Sequence, residues 1–132
     1  MIFRYTELPD STESRPRPIV DVSVGNLETV LVPCLVDSGA ISTLLPRWSA
    51  DVAGVDLTGT ATESRGVAGA TTRAQFVTVA LSVADLVWEA EVGFCEPWPY
   101  AWGLVGHDAF FRWFTVTFRA VDYEFELESI TA

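Results

Sequence analysis

Val30-Leu31-Val32-Pro33-Cys34-Leu35-Val36-Asp37-Ser38-Gly39-Ala40 places an acid at the end of a continuous apolar run and follows it with a turn. Residues Thr29 to Val36 are too evenly apolar for a half-exposed strand. They predict a strand covered on both faces, with Pro33 marking a bulge or a sheet edge. Ile41 to Leu45 then resumes as a second short strand. A carboxylate between two such strands sits where charge is costly, so it is paired, protonated or functional. The plainer alternative is a turn aspartate satisfied by backbone N–H groups. Later in the chain Trp102-Gly103-Leu104-Val105-Gly106 repeats the pattern, an apolar strand ending in glycine just before Asp108.

Outward from this stretch the chain reads as short strands and tight turns. Ile19, Val20, Val22 and Val24 form a strand that ends at a Gly25-Asn26 turn. Pro46 opens and Gly54 closes a short helix over Arg47 to Ala53. Thr58 to Arg65 and Ala74 to Val83 are strand-like, joined by the small-residue turn Gly66-Val67-Ala68-Gly69-Ala70. Leu86 to Cys95 alternates apolar Leu86, Trp88, Ala90, Val92 and Phe94 with Val87, Glu89, Glu91 and Gly93. Pro97-Trp98-Pro99-Tyr100 is a stiff loop, and Trp102 to Val105 a short buried strand. Asp108 is placed to cap a brief helix through Trp113. Phe114 to Phe118 and Tyr123 to Leu127 make a last hairpin. The expected fold class is all-β and barrel-like, with one or two short helices.

The 132 residues give one domain with one core. Residues 1–17, with Pro9, Pro16 and a Ser/Thr/Glu cluster, are expected as an extended arm ahead of a domain over 18–132. A hydrophobic share of 49 %, with five Trp and eight Phe, is rich for this size and implies apolar surface covered by a partner chain. The net charge of −10 argues against nucleic acid. The start Met1-Ile2-Phe3-Arg4-Tyr5 lacks a secretory apolar region, and no stretch has the roughly 20 apolar residues of a membrane span. Cys34, Cys95 and the single His107 have no metal-ligand spacing, so no metal is expected. A cytoplasmic protein with two reduced thiols is the expectation.

Asp-Ser/Thr-Gly-Ala early and apolar-apolar-Gly late are the paired motifs of the retropepsin-like, or retroviral-type, aspartic proteases. The chain resembles that family over most of its length, from the first hairpin to the short helix after Gly106. The resemblance implies a closed β-barrel-like acid protease fold. It also implies an aspartic endopeptidase acting on peptide or protein substrates, with water as nucleophile and no cofactor. Such hydrolysis needs two carboxylates sharing one proton. One Asp-Ser-Gly supplies one, so the resemblance implies a homodimer that sets Asp37 against its own copy. The catalytic residues are then Asp37, Ser38 and Gly39, with Ser38 bracing the two loops across the dimer. Ala40 joins the substrate floor, and Gly66, Val67, Ala68 and Gly69 form a mobile flap over the peptide. Many relatives carry an Asp two residues after the motif Gly and an Arg after the late Gly. Here those positions are Ile41 and His107, so the dimer must be held by other contacts.

Alternatives stay open. The same fold could serve as a catalytically silent peptide-binding or dimerisation module. An unrelated barrel could use its aromatic residues to line a small-molecule pocket. Gly66 to Gly69 suits an ordinary hairpin turn as well as a flap. Ser38 with adjacent His107 and Asp108 makes no triad, since neighbours in sequence do not orient each other. Cys34 has no basic neighbour in sequence to activate it.

Overall fold

In the computed structural model, residues 1–9, 15–25 and 30–130 are described. The expected turn residue Asn26, the first strand residue Thr29 and positions 10–14 of the expected arm lie outside them. Among the described residues strands make up 55 % and one helix reaches seven residues, so the fold is all-β with a closed six-stranded barrel.

The barrel strands are β2 (Ile19–Val24), β3 (Leu31–Val36), β8 (Gly103–Val105), β4 (Leu44–Pro46), β7 (Leu86–Glu96) and β6 (Ala70–Val83), in that spatial order. The ends join where β2 meets β6, through Ser23↔Ser82 and Val24↔Leu81. Closure leaves these six without a free edge. A further strand, β5 (Thr62–Val67), pairs only with β6 and stands off the barrel as a hairpin. Two ladders, β3–β8 and β4–β7, are parallel, and they bring the ends of β3, β4 and β8 to one place.

Period-two patterning explains the core. Along β7, Trp88, Ala90, Val92 and Phe94 are buried and Glu89 and Glu91 exposed. Trp88 packs edge-on to Phe114 at 4.8 Å between ring centres, and its indole N–H donates to Ala109 O at 2.8 Å. The strand β3 departs from expectation. Val32, Cys34 and Val36 are buried, but Leu31 is 52 % exposed and Leu35 only half-buried. Its outer face borders an open groove instead of a second layer. Pro33 sits where its missing N–H costs nothing. Hydrogen bonds at Val24–Val30 and Pro18–Val36 make Asp21↔Pro33 a non-bonded pair. The Pro33 nitrogen therefore faces away from β2, and β8 starts alongside only at Cys34.

Helix α1 (Arg47–Ala53) follows Pro46 and ends at Gly54, as the sequence indicates. The expected strand from Ile41 begins only at Leu44. The expected helix from Asp108 is instead a single π-type turn over His107–Phe111, with Phe111 N–H donating to Gly106 O at 3.1 Å. Asp108 does not cap it. Both differences have one cause: Ala40 and Ile41 give their carbonyls to the N–H groups of His107 and Asp108, at 2.9 and 2.8 Å.

The first residues are sheet, not a free arm. Strand β1 (Ile2–Arg4) pairs with β10 (Glu124–Ser129), which pairs with β9 (Phe114–Arg119). Phe3 stacks on Phe125 at 5.3 Å, which is what anchors the segment, and Phe125 and Leu127 join the barrel core. Among the described residues no helix is long and apolar enough to cross a membrane.

Cys34 and Cys95 are both free and buried. Burial pushes the Cys34 thiol well above its ordinary 9.0, and pushes Cys95 up to about 11. The neutral thiols favour the fold below pH 9.0, and that contribution fades as pH rises through the folded values. Neither thiol is expected to react with a disulfide reagent at neutral pH until denaturant is added. The denaturation midpoint should fall as pH rises from 9 toward 11. Rapid native-state labelling would contradict the burial.

Candidate active site

Asp37 leaves the end of β3 just past the barrel wall. Its backbone N–H donates to Val105 O on β8 at 3.0 Å, so two adjacent strands fix where the acid emerges. The turn after it is closed by its own groups. Gly39 N–H donates to Asp37 Oδ1 at 2.9 Å, and Ala40 N–H to Asp37 O at 3.1 Å. An aspartate that accepts from the residue two ahead organises such a turn.

The loop is braced from below by the late glycine. Gly106 N–H donates to the buried Thr43 hydroxyl at 3.0 Å, and a Cβ on Gly106 would stand 2.5 Å from the carbonyls of both Ala40 and Ser42. Only glycine lets the two backbones cross this closely. His107 adds a brace from the side: its Nε2–H donates to Ser38 O at 2.7 Å, and its ring stacks on Phe111. The two motifs singled out in the sequence are thus one unit in space. Thr43→Val should lower stability by about 1–3 kcal/mol, because the Gly106 N–H is left buried without an acceptor. Equilibrium urea unfolding reads this out, and an unchanged midpoint would contradict it.

A groove of about 640 Å³ opens over this loop. Asp37, Gly39 and Ala40 line it, together with Gly66, Val67 and Ala68 from the β5–β6 hairpin. Six of the eight expected site residues therefore share one cavity. Ser38 and Gly69 do not border it. Ser38 is exposed, with its carbonyl turned to His107, and Gly69 is the second residue of the two-residue hairpin turn. That turn has Ala68 at φ 50 and Gly69 at φ 77, the two-residue geometry that follows strand twist.

Other groove residues were not singled out for this role in the sequence. Leu35 and Leu104 are register partners across β3 and β8 and form an apolar floor. Tyr100 and Trp102, stacked at 4.6 Å, make a wall. Trp98 continues the ladder and donates its indole N–H to Trp102 O at 2.8 Å. Arg65 on β5 also borders the groove. The Leu35–Leu104 pairing could have been drawn from two apolar strands meeting at an acid. Nothing in Thr62–Val67, which lacks apolar alternation, marks Arg65 as inward.

A groove with one carboxylate on an apolar floor, under a two-stranded hairpin, can hold an extended chain and present one acid or base to it. Among the described residues no group of three or more His, Cys, Asp and Glu is placed to hold a metal ion. The chain matches no family model and no curated protein.

Proposed function

We propose that this protein is a retropepsin-like aspartic endopeptidase that works as a homodimer, with Asp37 and Asp37 of the partner subunit forming one catalytic pair. The observation that carries this is that Asp37 lines a 640 Å³ groove together with the tip of the β5–β6 hairpin. In the dimer the two carboxylates share one proton. The ionised one takes a proton from water, whose oxygen attacks the peptide carbonyl carbon. The protonated one gives its proton to the carbonyl oxygen, forming a gem-diol. The C–N bond then breaks as the nitrogen takes the proton that the first carboxylate removed from water and a gem-diol hydroxyl gives its proton to the second. This leaves a carboxylic acid, an amine and a pair that again holds one proton.

The dimer contact on this reading is apolar. Ile41, four residues after Asp37, is 74 % exposed at the rim of the site. An acidic chain with two free buried thiols goes with a reducing, cytoplasmic location. The test is hydrolysis of an unfolded protein at mildly acid pH by the wild type and by Asp37→Asn, with oligomeric state measured by sedimentation. Cleavage that persists in the variant, or a strictly monomeric active protein, would sink the proposal.

A second reading, the same groove binding peptide without hydrolysis, is favoured by one observation. The terminal strands β1 and β10 already pair within the chain, so these ladders are complete without a partner subunit. Peptide binding without turnover, equal in wild type and Asp37→Asn, would select it.

A further inference from the structure

The β5–β6 hairpin carries a cation on its inward face. Along β5, Glu63, Arg65 and Val67 share one side, and the register sets them against Ala74, Thr72 and Ala70. Val67, Thr72 and Ala74 are buried and Arg65 is partly covered, while Glu63 and Ala70 at the margins are exposed, so this side turns in part toward the protein. An apolar residue is the ordinary occupant of such a position. The chain has Arg65 there, bordering the same groove as Asp37, and these two are the charged residues of the lining.

Arg65 is held in place before any ligand arrives. Its guanidinium lies over the Phe76 ring, 4.8 Å from the ring centre. Nη1 donates to Ser64 O at 3.1 Å, and Nη2 lies 3.5 Å from Glu63 Oε2. A guanidinium presents five N–H donors in a rigid fork that matches a carboxylate, more than these two contacts use. In a protein of net charge −10, an arginine with its side chain 37 % exposed at the edge of a groove whose only other charged lining residue among those described is Asp37 marks a place for a negative group.

The geometry points to Arg65 as the specificity-determining residue of the groove: it binds a carboxylate on an extended peptide whose neighbouring residues are apolar. This rests on the groove being a peptide site, as proposed above. The carboxylate is either an Asp or Glu side chain within the peptide or a free C-terminus, and both offer Arg65 the same chemistry.

The test uses the Asp37→Asn protein, so that binding is read without turnover. Labelled apolar peptides carry one Glu, or Gln or Lys in its place, and a second set ends in a free acid or an amide. Fluorescence anisotropy should show the carboxylate form binding at least about 10-fold tighter than its neutral counterpart, as one charge-assisted bidentate contact provides. Arg65→Gln should bring that ratio close to one, Arg65→Lys should retain part of it, and Arg65→Glu should reverse it in favour of Lys. A response confined to the acid and amide pair identifies a C-terminus; one confined to Glu and Gln identifies a side chain. Equal affinities for charged and neutral peptides, a ratio that survives Arg65→Gln, or no binding of any peptide would overturn the proposal. Turnover separates the two claims: wild-type cleavage indifferent to the acidic residue removes the Arg65 role and keeps the protease. An Arg65-dependent binding preference without cleavage does the reverse.

Discussion

Asp37→Asn is expected, on the proposed protease reading, to lower kcat for peptide hydrolysis by about 10³-fold or more while the protein stays folded, the loss typical of removing a general acid–base group. The amide keeps one acceptor oxygen, which can take the place of Asp37 Oδ1, so the turn can keep its 2.9 Å hydrogen bond from Gly39 N–H. Loss of activity without loss of structure is therefore the expected pattern. Mixing sharpens the test. If each site needs one acid from each subunit, random reassortment of equal wild-type and variant protein leaves about a quarter of the activity of the same total of wild type. If each chain acts alone, half remains. Activity should also fall more steeply than concentration on dilution, because the dimer dissociates by mass action. A half-activity mixture with linear dilution would remove the shared site, whatever the single variant shows.

What was legible in the sequence was whatever local physics decides. Alternation along Leu86–Cys95 fixed the faces of β7, and Pro46 with Gly54 bounded the helix over Arg47 to Ala53. The acid after Val36 and the glycine after Val105 could be paired because a known family spaces them so. What escaped depended on contacts distant in sequence. The strand expected from Ile41 starts at Leu44 because Ala40 and Ile41 bond across to His107 and Asp108, and no local propensity encodes that crossing. The same bonds displaced Asp108 from its expected capping role. Residues 1–17 read as an extended arm because of Pro9, Pro16 and the Ser/Thr/Glu cluster, and Ile2 to Arg4 are too short a run to outweigh them. The partner of that run is β10, at the opposite end of the sequence. Arg65 escaped because the inward face of β5 is defined by its register with β6 and by nothing in Thr62–Val67 itself.

Gly106→Ala should be among the most damaging single substitutions outside the largest core side chains. The added Cβ would meet Ala40 O and Ser42 O at 2.5 Å and the Ala40 carbonyl carbon at 3.0 Å, all of them backbone. Side-chain clashes can relax by changing rotamer, but these atoms belong to the loop that carries Asp37. Gly106 is no freer to move, because its N–H is bound to Thr43 Oγ1 and its carbonyl accepts from Phe110 and Phe111. Overpacking costs typically about 1–3 kcal/mol, and a clash with backbone on two sides belongs at or above the top of that range. Out of a total of about 5–15 kcal/mol, that lowers Tm by about 10 °C. Gly66→Ala is the matched comparison, since its Cβ would meet nothing within 4 Å, and its stability should change by no more than about 0.5 kcal/mol. Calorimetry of the two variants separates a generic loss of glycine from loss of this crossing. If part of the Gly106→Ala protein remains folded, it should still lack hydrolysis, because the loop can admit a methyl group only by moving the segment that aims Asp37. A variant as stable as wild type would mean that the two backbones do not cross closely, and that the late glycine does not support the acid.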